Sequence, residues 1–175
     1  RFGGVLRGEV YHLTGLGDRT SMSLFSTLDF TEQQTVQVGH DFRIGSEGLR
    51  VGGQLTWSTV NPSVGLAGID VESETWFASL FASYPLIRSR RSSLVAAAGL
   101  DHVDQDVALN GFGLTRDRVR MASVRLSGDM TDEASIQRVG SYSPFEPRFR
   151  LSYGAELRHG LDAISASPDC RPSPL

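Results

Sequence analysis

Apolar and polar residues alternate along most of the chain, most cleanly between Arg148 and Arg158, where Phe, Leu, Tyr, Ala and Leu occupy the odd positions. A period of two places successive side chains on opposite faces of a β-strand. Seven other stretches carry the same pattern, so the sequence predicts eight strands and no helices. The eight stretches are residues 2–13, 22–28, 36–44, 49–58, 76–84, 94–100, 116–126 and 148–158.

The longest of these patterns is a hairpin from Trp76 to His102, with the polar residues Arg88 to Ser93 as its turn. Its arms of about 9 to 13 residues exceed the usual 5 to 6 and match a tilted membrane crossing better. We therefore predict an all-β fold: a partial antiparallel transmembrane β-barrel, with about eight strands of a larger barrel. A soluble β-sandwich gives the same alternation with its charged face in solvent.

Connections between the strands give a second indication. Short turns are predicted at Gly15 to Asp18, at Gly45 to Gly48 and at the Ser89 turn, where glycine supplies positive φ or polar residues cluster. Longer loops are predicted at residues 61–70 and 108–115. Short and long connections that alternate are typical of outer-membrane barrels, and the short connection at Asp29 to Glu32 is the exception.

Two segments fit this pattern less well. In residues 116–126, Arg118 and Arg120 fall on one parity and Arg125 on the other. Either a β-bulge reconciles them or the strand is a poor one. Residues 129–147 are polar and irregular.

Composition agrees with a barrel that has a polar lumen. Hydrophobic residues make up 39% of the chain, Gly is abundant (19 residues), and the 17 Lys and Arg nearly balance the 20 Asp and Glu. A polar lumen requires apolar side chains on one face only. The side chains predicted to face the lumen are Arg43, Arg50, Gln54, Arg150, Glu156 and Arg158. Phe25, Phe77 and Phe81 share that face, where they either pack against a plug or the barrel interior or mark a shifted register.

Aromatic residues fall where two membrane interfaces are expected. With the short turns on the periplasmic side, Trp57 and Trp76 lie near the outer ends of adjacent strands, and Phe42 and Tyr84 near the inner ends. Amphipathic rings are enriched at both interfaces of a bilayer. We therefore expect two aromatic belts, and contact with outer-membrane lipids.

The sequence gives little support to other functions. No run of about 18 apolar residues exists for a transmembrane helix, and the net charge of −3 argues against nucleic-acid binding. A single cysteine, Cys170, excludes an internal disulfide. The acidic run Asp101 to Asp106 lacks the spacing of a calcium or zinc site and is interpreted as a solvated rim at the end of a strand. No catalytic motif is present, so neither an enzyme nor a cofactor is expected.

Five short motifs, in order, resemble the haemolysin activation/secretion proteins, the transporters of two-partner secretion in the Omp85 superfamily. The motifs are Gly15-Leu16-Gly17-Asp18, Gly48-Leu49-Arg50-Val51-Gly52, Tyr84-Pro85-Leu86-Ile87-Arg88-Ser89, Asp117-Arg118-Val119-Arg120 and Gly160-Leu161-Asp162. The resemblance covers nearly the whole chain. Each motif alone is weak, and the ordered set carries the specificity.

The resemblance implies export of a haemolysin- or adhesin-type exoprotein, without ATP, through an outer-membrane barrel of about sixteen strands preceded by periplasmic POTRA domains. The chain is then a fragment that supplies roughly strands two to nine. Residues 1–162 would form the N-terminal part of the barrel, and residues 163–175 an extracellular loop or truncated tail. Pro85, Leu86 and Arg88 would serve the turn and periplasmic contacts. The alternatives are a structural or adhesive barrel that does not transport, and a soluble β-sandwich binding module.

Overall fold

A computed structural model describes residues 2–62, 70–132 and 149–167 of the chain. They form one antiparallel sheet in which each strand pairs with its neighbours in sequence, in the order β1-β2-β3-β4-β5-β6-β7-β8. The open, all-antiparallel, eight-stranded sheet confirms the predicted fold class. The strands are β1 Gly3–Tyr11, β2 Arg19–Thr27, β3 Gln33–Ile44, β4 Leu49–Val60, β5 Val71–Arg88, β6 Ser92–Leu109, β7 Phe112–Thr131 and β8 Arg150–Gly160.

The strand register divides the side chains into two chemically different faces. Directly opposed residues point to the same side of a sheet, so the pairing can be followed from strand to strand. One row gives Arg19, Asp41, Gly52, Phe81, Gly99, Ser123 and Arg158, and it defines the polar face. The neighbouring row gives Phe42, Val51, Ala82, Ala98, Val124 and Leu157, and it defines the apolar face.

The sheet has no apolar core among the residues described. None of their hydrophobic side chains is buried, and large ones on the apolar face are widely exposed: Leu80 by 64%, Val124 by 60% and Leu157 by 79%. A soluble sandwich would cover such a face with a second sheet. The described part of the chain also contains no helix that is long and apolar enough to cross a membrane.

Three of the predicted turns are confirmed. They join β1 to β2, β3 to β4 and β5 to β6, and all three lie at the same end of the sheet, which we call the turn end. Gly45 and Gly48 have φ of 69° and 96°, a region that favours glycine. Ser89 closes the third turn, because its hydroxyl donates to the carbonyl of Ser92 and accepts from the Ser92 amide.

The predicted loop at residues 108–115 is wrong. Strand β6 continues to Leu109 and β7 begins at Phe112, so only Asn110 and Gly111 connect them. Both have positive φ, 50° and 78°, as a type I′ hairpin turn requires. The Asn-Gly pair is itself a strong hairpin signal, and the apolar alternation simply weakens on either side of it.

The bulge predicted within residues 116–126 is wrong as well, and so is the alternative of a poor strand. The pairing of β7 with both neighbours is regular through that segment. Arg118 and Arg120 lie on the apolar face and Arg125 on the polar face, so both parities are occupied by charges. Register shifts occur elsewhere, at Leu86 in β5 and at Leu114 in β7.

The expected alternation of short and long connections also fails. Residues 132–149, the longest separation between two strands, join β7 to β8, and the two strand ends that they join lie at the turn end with the short turns. Strand β7 reaches Thr131, so Asp129 is part of a strand and not of an irregular segment. Residues 133–148, the rest of that predicted segment, lie outside the described residues.

Candidate functional site

All six residues predicted to face a lumen lie on the polar face. Arg43 and Arg50 are directly opposite each other on β3 and β4. Gln54 lies between Gly39 and Ser79 and donates weakly to the Thr56 hydroxyl, at 3.4 Å. The other three, on β8, are Arg150, Glu156 and Arg158.

The most concentrated charge on this face is an arginine cluster, made of Arg19, Arg43 and Arg50 around Asp41. The Asp41 side chain is only 7% exposed. One of its oxygens is 3.0 Å from Arg19 Nη2 and the other is 3.0 Å from Arg50 Nη1. Arg19 Nε also donates to Oδ1 at 3.1 Å. Arg43 is exposed and has no ion-pair partner among the described residues, so two of the three cations share the carboxylate and the third is unpaired.

Glycine makes room for this cluster. Gly52 lies directly opposite Asp41, and a Cβ on Gly52 would come within 2.6 Å of Asp41 Cβ and 2.7 Å of Phe81 Cζ. Real Cβ atoms do not approach so closely. The absent side chain therefore lets Phe81 and Asp41 lie close above the strand.

A second charged group lies across the sheet. Glu156 on β8 accepts from Arg125 on β7, with 2.7 Å to Nη2, and from Arg158 on its own strand. Asp129 accepts from the Ser93 hydroxyl at 2.6 Å and is 3.6 Å from Arg150 Nη2. These arginines are more than half exposed, so their ion pairs are weak.

The large aromatic residues of the polar face are in register, so a shifted register does not explain them. Phe25 lies against Gly3, where a Cβ would be 3.2 Å from its ring, and Phe81 lies against Gly52. Phe77 is opposite Thr56 and Val103. Two of the three rings thus cover glycines of the neighbouring strand.

The residues proposed for aromatic belts all lie on the apolar face. Trp57 and Trp76 are directly opposite, with ring centroids 6.3 Å apart, and both indole N–H groups donate to Glu74. Phe42 and Tyr84 lie closer to the turn end. The Tyr84 hydroxyl donates to Glu47, at 3.0 Å, in the turn between β3 and β4.

The motif residues Pro85 and Arg88 contact a second motif of the same ordered set. A Cβ on Gly48 would be 3.1 Å from Pro85 Cγ and 4.0 Å from Arg88 Nη1. Leu86 is the extra residue of the bulge in β5. The close approach explains why a glycine with φ of 96° follows Glu47: both the backbone conformation and the space exclude a side chain.

The acidic run from Asp101 to Asp106 lies inside β6 and not at its end, which corrects its interpretation as a rim. Alternation splits the run, because Asp101 accepts from Ser79 on the polar face while Asp104 pairs with Arg120 on the apolar face. No group of three or more His, Cys, Asp or Glu within the described ranges could hold a metal ion.

Arg120 anchors this part of the apolar face. Its side chain is 5% exposed, lies 2.7 Å from Asp104 and donates to the carbonyls of Val103 and Val119. Residues 161–167 continue beyond β8 along β7, where Leu161 N donates to the Arg120 carbonyl and Ser167 N to that of Arg118. The remainder of the predicted tail, including Cys170, lies outside the described residues.

Asp18 closes the turn beside the arginine cluster. Its carboxylate is 1% exposed and accepts from the amides of Leu13 and Thr14 and from the Thr14 hydroxyl, at 2.8 to 3.0 Å. Burial alone would raise its pKa, but the hydrogen bonds from Thr14 and the backbone lower the pKa to about 2. Asp18 is therefore ionised, and its charge is satisfied within its own loop.

Sequence reasoning missed Arg19, Asp41, Arg125 and Asp129 as partners. The turn at Gly45 to Gly48 fixes the pairing of β3 with β4, so the diagonal approach of Asp41 to Arg50 could have been found from it. The contact of Arg19 with Asp41 depends on the pairing of β2 with β3, which an irregular five-residue connection sets. No local signal in the sequence specifies that register.

Comparison with known structures gives the same fold in CdiB. CdiB from Escherichia coli matches 97% of the chain with a TM-score of 0.78 and 18% identity, and CdiB from Acinetobacter baumannii matches 91% with 0.66 and 14%. The chain spans 30% and 28% of those two proteins. Neither a family model nor a curated protein matches it.

Proposed function

We propose that the chain is part of an outer-membrane transporter that exports an exoprotein, of haemolysin or adhesin type, in two-partner secretion. The apolar face would contact the lipids of the bacterial outer membrane, and the polar face would line the export path. The proposal contains no catalytic step and no cofactor.

The contrast between the two faces carries the proposal. On the apolar face of the described sheet, every Asp, Glu and Arg lies on β5, β6 or β7. Of these charged residues, Arg120 is nearest to the turn end, and the others lie level with the tryptophans or farther from that end. Between Arg120 and the turn end the face is free of charge. From Trp76 to Tyr84 the strand is about 27 Å long, or about 20 Å in height at a tilt of about 40°. That height approaches the apolar band of an outer-membrane barrel, about 25 Å.

Two further observations support it. The fold shared with CdiB over 97% of the chain agrees with the ordered motifs in the sequence. Among the described strands, β1 and β8 each pair on one side only, and a membrane cannot solvate the other edge. Such edges require further strands, as in a larger barrel.

The experiment uses the full-length protein that contains this chain, purified in detergent and reconstituted in planar bilayers. The proposal predicts that it inserts and conducts ions, and that a strain expressing it exports an exoprotein encoded beside it. A full-length protein that stays soluble without detergent and does not conduct would contradict the membrane role. Conduction without export would leave a barrel that does not transport this class of cargo.

A further inference from the structure

The positive charge of the arginine cluster is only partly compensated by ion pairs within the cluster. Arg43 and Arg50 are directly opposite on neighbouring strands, an arrangement in which like charges destabilise a sheet. Asp41 relieves the repulsion only in part, because it already pairs with both Arg19 and Arg50. With three cations and one anion, the cluster carries a net charge of +2, and Arg43 is exposed.

Other carboxylates nearby are engaged elsewhere. Glu9 accepts from Arg7 at 2.9 Å and from the Tyr11 hydroxyl at 2.7 Å. Asp18 is enclosed in its own turn, and Glu47 accepts from Tyr84 on the apolar face. None of these described carboxylates contacts Arg43, so the positive charge of the cluster stays available to a ligand.

The cluster lies at the turn end of the polar face. Arg19 is the first residue of β2, Arg43 the last but one of β3, and Arg50 the second of β4. A chain that enters the polar face from the turn end along β2, β3 and β4 therefore passes these three side chains. The cations are all of the type that forms bidentate contacts, because the 17 basic residues of the sequence are arginines without exception.

We propose that the arginine cluster binds carboxylate side chains of an extended polypeptide as it enters the polar face from the turn end. The inference rests on the proposed function and adds to it the chemistry of the cargo: a segment rich in Asp and Glu. Arg43 supplies the free guanidinium, while Asp41 holds Arg19 and Arg50 in place. Positive potential at the entrance to the polar face also raises the rate at which acidic segments arrive.

The test measures block of the current through the full-length protein in a planar bilayer. A 20-residue peptide of alternating Glu and Gly is added to either side, and a Lys-Gly peptide of the same length serves as the reference probe. We expect the Glu peptide to block from the turn-end side at a lower concentration than the Lys peptide. Arg43→Gln should raise its half-blocking concentration roughly threefold, as expected for a partly exposed ion pair.

Two matched variants make the result specific. Arg43→Lys keeps the charge and should restore most of the block, which a purely steric effect of residue 43 would not do. Arg116→Gln removes an arginine from the apolar face, where Arg116 pairs with Asp106 at 3.0 Å, and should leave the block unchanged. Because Arg43 has no partner among the described residues, Arg43→Gln leaves both ion pairs of Asp41 intact.

The outcomes separate the two proposals. A full-length protein that does not conduct overturns the proposed function, and this inference with it. A conducting protein that the Glu and Lys peptides block equally, or whose block Arg43→Gln leaves unchanged, overturns the inference alone.

Discussion

Two regions of the apolar face differ in the polarity of their side chains, although the same three strands form both. From the turn end up to the row of Leu80, Leu100 and Ala122, which we call the lower region, β5, β6 and β7 present only apolar, small or hydroxyl side chains. Beyond that row, in the upper region, the same face presents Glu74, Asp104, Asp106, Arg116 and Arg120. The strands are 18 to 20 residues long because they continue through both regions.

The difference shows that hydrogen bonding within the sheet does not set the boundary. Backbone pairing continues unbroken from Arg116 to Thr131 on β7, while the side chains change abruptly in polarity. Under the proposed function, the medium on the apolar side is what changes, from hydrocarbon to water. The tryptophan pair and Glu74 would then lie at the boundary between the two, where an apolar ring with a polar N–H is favoured.

The largest expected effect comes from placing one charge in each region of β6. Leu100→Arg puts a guanidinium on the lower region, where the native side chain is 53% exposed, and should cost about 2–4 kcal/mol if lipid covers it. Ala108→Arg, on the same face beyond the tryptophans, should cost little. Denaturant unfolding of the full-length protein in lipid vesicles measures both. Equal losses would mean that no bilayer boundary lies between them.

Close packing of glycine under an aromatic ring is a second property of the lower region. A Cβ on Gly128 would lie 2.6 Å from the Ser93 carbonyl and 2.7 Å from the Tyr153 hydroxyl. Gly128→Ala should therefore destabilise by about 1–3 kcal/mol through overpacking, since the carbonyl cannot move aside. Gly8→Ala is the control, because Gly8 shares the face and has nothing within 4 Å of its added Cβ. The same unfolding assay should show no comparable loss for Gly8→Ala.

In the upper region, stability should depend on one buried arginine. Arg120→Ala removes the partner of Asp104 and two donors to backbone carbonyls, so we expect a loss of about 1–2 kcal/mol, moderated because Asp104 is 34% exposed. Arg116→Ala removes a pair that is more than half exposed, and should change stability by less than about 1 kcal/mol. Similar effects of the two substitutions would show that burial of Arg120 does not matter.

These two regions also show how far the sequence could be interpreted. Alternation found all eight strands and the polar and apolar faces, because a period of two is a local property. From alternation alone, β6 is predicted to end near Leu100, because polar residues at positions of the apolar face, such as Asp104, resemble the end of a strand. Their cross-strand partner Arg120 is 16 residues away, so only the register shows that the pair is compensated.

The polar face shows the same limit. The parity of Arg50 predicts that it lies on the polar face, but Arg19 and Asp41 give it its charged surroundings, through registers that no single stretch encodes. The turn type set one of those registers and an irregular loop set the other. Charge clusters of this kind are therefore predicted from sequence only where a tight turn fixes the pairing.

The smallest effect is expected at the turn end, outside both regions, where Asp18 closes a loop. Its pKa of about 2 lies below the ordinary value of an aspartate, about 3.9, so its ionised form stabilises the folded state. This contribution is complete above about pH 4 and is lost as the pH falls towards 2. Asp18→Asn should lower the unfolding midpoint at neutral pH, and the difference from the native protein should shrink across that window. A difference that stays constant down to pH 2 would show that the loop depends on the shape of residue 18 and not on its charge.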